Sequence, residues 1–375
     1  MIITQVIFIC TNEVLPMTLG LCMIVKNEEE VLGRCLQSAK NICDEIIIVD
    51  TGSSDNTMNI ALNFGAKVYS FPWNFDFSAA RNFSFSLSAA DYILWLDADD
   101  IITEENQKKL LDLKKSLDGT VDSYFLRYDA AFDEYGNTTS FFFRERIVRR
   151  KANFLWNGPV HETICINSNF QYCDITITHL RSRNERRGRN LFIFAHSFAH
   201  GMMPDERQEY YFARELSDSG LYDTAASVFE NFLLGSGWVE DKIGACRDLA
   251  FCYQKLGCRN KRLSTLFRSF DFSPPRPEIC CDLGLLYVEE KNWNQAIFWF
   301  KLAFNQPPDR QGFIYPDCNG FLPCIWLCVC YDHLGNHKKA YEFNERAGSF
   351  KPLDKSYLHN KIYFQSLFHN NGENI

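Results

Sequence analysis

Residues 45–55 read EIIIVDTGSSD. The run Ile46–Val49 is apolar on both faces, the composition of a strand buried inside a mostly parallel sheet. It stops at Asp50, Gly52 permits a tight turn, and Asp55 is placed to cap a helix that ends at Gly65. Working outward, LGLCMIV at 19–25 and YILWL at 92–96 repeat the short apolar pattern. Between the first two runs, residues 28–40 put Val31, Leu32, Cys35, Leu36 and Ala39 on one helical face. Strand, helix, strand is the α/β alternation, with right-handed crossovers.

Past about residue 205 the pattern changes. Helical stretches are separated by short turns: SGLYDTA from Ser219, EKNWNQA from Glu290, LGNHKKA from Leu334, and a weaker copy, LGCRNKR, from Leu256. Successive turns lie about 34–44 residues apart, which predicts helix-turn-helix repeats. The copy around Glu290 has Leu283, Gly284 and Tyr287 on its first helix and Ala296, Phe300 and a terminating Pro307 on and after its second. This is most of the tetratricopeptide pattern. The expected domains are 17–190 (α/β) and 205–365 (all-α repeats).

Bulk properties agree. The 375 residues suggest about two domains, and 46% hydrophobic with 23% charged residues is the range of a folded globular chain. The net charge of −8 argues against a nucleic acid as main partner. The 15 cysteines show no repeated spacing and read as reduced, mostly buried apolar residues of a cytoplasmic protein. MIITQVIFIC at the start is apolar but short, lacks a basic flank, and is followed by Asn12 and Glu13. It reads as neither a membrane span nor a signal peptide, but as an upstream extension or a frayed strand. No later run is long enough to span a bilayer.

In an open parallel sheet ligands bind beyond the carboxyl ends of the strands. Three clusters fall there: Val25-Lys26-Asn27-Glu28, Asp50-Thr51-Gly52-Ser53-Ser54-Asp55 and Asp97-Ala98-Asp99-Asp100. A diphosphate leaving group gathers negative charge, which a divalent cation on hard oxygen ligands offsets. Asp97 and Asp99 form a D-x-D; if the segment is extended, both side chains face one pocket. Asp50 ends a buried strand with no evident capping duty and can accept from a base or ribose. Arg81, among Phe75, Phe77 and Phe83, is either a surface helix residue or a partly buried cation that needs an anionic partner.

In order, MIVKNEEEVLGRCLQSA, EIIIVDTGSSDNT, FDFSAARN and WLDADD resemble the nucleotide-binding half of family 2 glycosyltransferases with the GT-A fold, over roughly residues 17–180. That resemblance implies inverting, metal-dependent transfer from a UDP-sugar, with Mn²⁺ or Mg²⁺. It implies that Asn27 and Asp50, with their neighbours Glu28 and Ser53, line the donor nucleotide, that Asp97 touches the ribose and that Asp99 holds the metal. Arg81 would face the base or the diphosphate. The usual Q/R-x-x-R-W motif is missing. In its place stands W-x-G-x-V-H-E: Trp156, Gly158, Val160, His161, Glu162. This form resembles a subgroup with C-terminal tetratricopeptide repeats that includes the S-glycosyltransferases of glycocin peptides.

Inverting transfer needs a base beside the acceptor. His161 and Glu162 are candidates, and His161 or His179, the latter at the end of the alternating strand DITITHL, could instead be a metal ligand. The basic run Arg181, Arg183, Arg186, Arg187, Arg189 is a solvated face or a loop closing on the diphosphate. The expected function is hexose transfer from a UDP-sugar to a peptide or protein acceptor held by the repeats, with a homodimer as a possible assembly. A cell-envelope or lipopolysaccharide-core glycan as acceptor, and a non-enzymatic repeat scaffold, are the competing readings.

Overall fold

The computed structural model describes residues 16–180, 188–304 and 311–370. The amino-terminal MIITQVIFIC, the arginines at 181–187 and Pro307 lie outside them. In the first half the strands are β1 (Leu19–Val25), β2 (Glu45–Asp50), β3 (Lys67–Ser70), β4 (Tyr92–Trp95), β5 (Asp100–Ile101), β6 (Ser123–Phe132), β7 (Thr138–Arg149), β8 (Trp156–Asn157), β9 (Thr163–Ile164) and β10 (Phe170–His179). All but β8 and β9 form one 8-stranded sheet in the order β3-β2-β1-β4-β7-β6-β10-β5. Strands β3, β2, β1 and β4 are parallel, β7 and β5 run against their neighbours, and β10 is parallel to β6.

The helices here are α1 (Leu32–Ala39), α2 (Thr57–Asn63), α3 (Phe77–Ser86) and α4 (Glu104–Ser116). Alternation decides which face each covers. Leu19, Leu21 and Met23 of β1 pack with Leu32, Leu36, Ala61 and Leu110 of α1, α2 and α4. Cys22 of β1 points the other way and joins Ile47, Val49, Phe85, Trp95 and Trp156. Both faces are covered, which is why these strands read as unbroken apolar runs. Helix α2 starts one residue later than the Asp55 cap predicts, but Asp55 still accepts from the amide of Thr57 at 3.0 Å.

From residue 189 onward the described chain has no named strand; only Ile314 forms an isolated bridge, to Phe141. Helix α5 (Arg189–Ala199) leads into α6 (Glu206–Asp218), α7 (Tyr222–Phe232), α8 (Val239–Lys255), α9 (Arg259–Arg268), α10 (Pro277–Glu289), α11 (Trp293–Phe304), α12 (Phe321–His333), α13 (His337–Phe350) and α14 (Lys355–Asn370). They pair as α6/α7, α8/α9, α10/α11 and α12/α13. Each turn that the sequence singles out carries a left-handed residue: Gly220, Gly257, Lys291 and Gly335. Such a residue closes the first helix so that the second can fold back.

The described cysteines are all free, most of them buried. No described helix is long and apolar enough to cross a membrane.

Candidate active site

The three acidic or polar clusters converge at the carboxyl ends of β1, β2 and β4. The loops after β1 and β2 are laced together. Asn27, in the left-handed region at φ 55°, accepts from the Ser54 amide at 2.8 Å, and its own amide donates to the Ser53 hydroxyl at 2.9 Å. The Glu28 amide donates to Thr57 at 2.7 Å. Asp50 is buried and accepts from the amides of Gly52 and Ser53, each at 3.0 Å. It therefore has a turn-closing duty that the sequence alone did not suggest. Asn27, Glu28 and Thr51 line the adjoining cavity.

The D-x-D is a turn rather than an extended segment: the Asp100 amide donates to the Asp97 carbonyl at 3.0 Å. Asp97 and Asp99 nonetheless both line the cavity. Arg81 is only 7% exposed. Its Nη2 meets Asp97 Oδ1 at 2.7 Å, and its Nε donates to Glu162 Oε1 at 2.5 Å. Its guanidinium lies 4.9 Å from both the Trp95 and Trp156 rings. Of its two readings, the partly buried cation is the one found. Burial pushes the Asp97 carboxyl up, but Arg81, Arg146 and Arg144 outweigh it and hold the group well below the usual carboxylate range.

Asp100 is fully buried, paired with Arg146 at 3.0 Å and accepting from the Tyr128 hydroxyl at 2.9 Å. Short strand β5 pairs with the end of β10, so His179 stands opposite Asp100 in the ladder. His179 Nδ1 is 3.4 Å from Asp99 Oδ1 and 3.5 Å from Asp100 Oδ1. That nitrogen is buried and has no hydrogen-bond partner. Asp99, Asp100 and His179 offer ligand atoms within 4.8 Å of one another. One carboxylate oxygen each from Asp99 and Asp100 and the orphaned imidazole nitrogen of His179 make a donor set that fits a divalent cation of the Mn²⁺ or Mg²⁺ type. Burial disfavours the charged His179 ring, yet Asp100 and Asp99 push it up to about 10, a measure of how strongly the pocket calls for positive charge. Burial first, then Asp99 and Asp97, push the Glu28 carboxyl up to about 7.

The W-x-G-x-V-H-E segment is explained residue by residue. Trp156 is core and supports Arg81. Gly158 has φ 96°, and Val160 packs among the helices. His161 sits at φ 53°, uncommon for a residue with a Cβ, and its Nε2 is 2.7 Å from Glu215 of α6. Its ring stacks on Tyr211, with centroids 4.3 Å apart. The structure thus gathers Asn27, Glu28, Arg81, Asp97, Asp99, His161, Glu162 and His179 on one cavity, while Asp50 and Ser53 hold the turn behind it. Sequence reading missed Arg144, Arg146 and Glu215. For the arginines the signal was alternation within FRERIVRR; Glu215 had none.

Residues 21–172 match the model of "Glycosyl transferase family 2". The chain carries a family 2 glycosyltransferase domain. The chain is similar over part of its length to a TPR repeat-containing protein of Synechococcus elongatus, 38% identical over 39% of this chain and 35% of that protein. It is similar to an uncharacterized glycosyltransferase of Rickettsia typhi, 40% identical over 24% of this chain and 30% of that protein. It is also similar to the SPbeta prophage-derived glycosyltransferase SunS of Bacillus subtilis, 30% identical over 37% of this chain and 33% of that protein. The chain spans about a third of the length of these curated relatives. The acidic turn after β4 lies inside the matched residues, and His179 at the end of β10 lies just beyond them.

Proposed function

We propose that the protein is an inverting, metal-dependent glycosyltransferase that moves a hexose from a UDP-sugar to a peptide or protein acceptor. The observation that carries the reading is the Asp99–Asp100–His179 cluster, of which Asp99 and His179 line the same cavity as the helical repeats. That cavity measures about 2630 Å³. Pockets that hold a single drug-sized ligand measure roughly 300–1,000 Å³, so a nucleotide-sugar leaves room for an acceptor. Arg207, Tyr211 and Arg214 on α6, Arg247 on α8 and Tyr315 line its far wall. The resemblance to peptide S-glycosyltransferases favours a peptide there.

Asp99 and His179 are placed to hold the cation, which when bound supplies charge to neutralise the departing diphosphate. Asp100, committed to Arg146 and Tyr128, anchors the turn that presents Asp99. Arg81 fixes Asp97 on the donor side. His161 is the preferred base, because Glu162 is already engaged by Arg81 at 2.5 Å. The acceptor oxygen or sulfur attacks the anomeric carbon from the face opposite the diphosphate. Its proton passes to the imidazole, and the bond to the diphosphate breaks.

UDP release from UDP-glucose, with water as acceptor, tests this. Slow turnover is expected with Mn²⁺ or Mg²⁺, none in excess EDTA, and a loss of about 100-fold or more in Asp99→Ala. Full turnover in Asp99→Ala would sink the metal role. Retention of synthetic peptides by the full chain, against oligosaccharides as competitors, separates the acceptor classes.

A further inference from the structure

Among the left-handed, non-glycine residues that line the cavity, His161 is one at which the helical half touches the transferase domain. A left-handed, non-glycine residue persists only where its surroundings hold it. Here one helix, α6, makes two contacts with it. The Tyr211 ring lies nearly parallel to the imidazole, at 22°. The Glu215 carboxylate takes His161 Nε2 at 2.7 Å. Asn190 of α5 donates to the same Glu215 oxygen at 2.9 Å, which fixes the carboxylate in turn. Tyr211 and Glu215 are one helical turn apart on α6, so one face of that helix supplies both contacts.

We infer that Glu215 is a positioning residue for the transfer, so that the repeat domain completes the active site as well as holding the acceptor. The inference rests on the reading of His161 as the base. A base oriented by a third group is the arrangement by which imidazoles act in nucleophile activation. Glu215 sets the tautomer: Nε2 carries the hydrogen it donates to the carboxylate, and Nδ1 keeps the lone pair that receives the acceptor's proton. The carboxylate also stabilises the imidazolium that forms, without itself being protonated. The step balances. The acceptor O–H or S–H gives its proton to Nδ1, a bond forms to the anomeric carbon, and the sugar–phosphate bond breaks with its electron pair going to the diphosphate.

No alternative duty accounts as well for these contacts. A pair that merely glued the domains would not need a carboxylate, itself fixed by Asn190, set against a ring nitrogen at the cavity wall. Glu162, one residue on, turns to Arg81 instead, so the two neighbours serve opposite sides of the site: Glu162 the donor, His161 the acceptor.

The test uses the full-length protein with UDP-glucose and Mn²⁺, following UDP release with water as acceptor. His161→Ala should lower kcat by about 100- to 10,000-fold, the span of a lost general base. Glu215→Gln should lower kcat by about 10- to 100-fold, with KM for UDP-glucose unchanged within about two-fold. Glu215→Asp, which keeps the charge, should recover part of the loss. In the His161→Ala background Glu215→Gln should have no further effect, since it acts through the ring. Full activity in His161→Ala would overturn the base reading itself. An impaired His161→Ala beside an unimpaired Glu215→Gln would leave that reading standing and overturn the inference. So would a Glu215→Gln loss that persists undiminished without His161, or one matched by a fall in melting temperature and rescued by assaying below it.

Discussion

Arg81 shows how much one side chain can organise. It sits between Asp97 and Glu162 with its guanidinium over two tryptophans, so its removal leaves two carboxylates without their cation. Breaking a buried pair typically costs about 3–5 kcal/mol. Asp97 also reaches the cavity, so Arg81→Met is expected to cost about 2–4 kcal/mol, read from the urea midpoint. A loss under about 1 kcal/mol would show that the carboxylates are solvated instead. The pH dependence has a definite sign. Arg81 helps hold Asp97 below its unfolded value of about 3.9. Asp97 therefore contributes fully above about pH 4 and progressively less as the pH falls towards its folded value. Arg81→Met should flatten that acid limb. At this scale Arg81 was legible because its aromatic neighbours implied burial. The turn-closing duty of Asp50 was missed, because a turn closed by a side chain two residues back leaves little mark in composition. Glu215 was invisible, since nothing local distinguishes a glutamate on an exposed-looking helix from one that meets a histidine 54 residues earlier.

Elements bring together what the sequence keeps apart. The pairing of β5 with β10 sets His179 opposite Asp100. This is why the end of DITITHL could be flagged but its partners could not be derived. The D-x-D reaches the cavity through a turn rather than by strand alternation, so both side chains line it for a reason other than the one expected. In the repeats, spacing and small residues carried the reading, and packing explains them. Gly284 of α10 lies under the Phe300 ring of α11, and a Cβ there would come within 2.7 Å of ring atoms. Gly284 is buried, and Phe300 shares a buried cluster with Leu283 and Ala296. Gly284→Ala gains at most about 1 kcal/mol of helix propensity but overpacks by about 1–3 kcal/mol. A lower melting temperature is expected, partly restored by adding Phe300→Leu. A raised melting temperature in the single variant would show that the helices can part at no expense.

Over the whole molecule, the helical half meets the transferase domain at both ends of the cavity. Near its start, His161 meets Glu215, and Phe75 packs against His196 at 4.5 Å. Far along the chain, the segment between α11 and α12 turns back to the sheet. Ile314 bridges to Phe141, and the Phe142 and Phe313 rings lie 4.7 Å apart. That segment is what stretches the last repeat spacing. The tip of the β6–β7 hairpin is clamped by Lys351, which meets Asp133 at 2.8 Å and Asp317 at 2.7 Å, and by Lys355 on Glu134 at 2.9 Å, 221 residues away. Contacts of that range leave no periodic trace, so the sequence could predict two domains but not how they close around a cavity. Lys351 is largely buried, and Lys351→Met would leave two carboxylates facing each other across its place. A global loss of about 1–3 kcal/mol is expected, together with faster amide exchange confined to the hairpin tip, the end of α13 and the segment after residue 311. UDP release from UDP-glucose should stay within about two-fold of the unmodified protein, because the cation pocket and His161 are held by other contacts. Exchange that instead speeds up throughout α6 and α8 would mean that the far clamp, rather than the His161–Glu215 junction, keeps the repeats on the transferase domain.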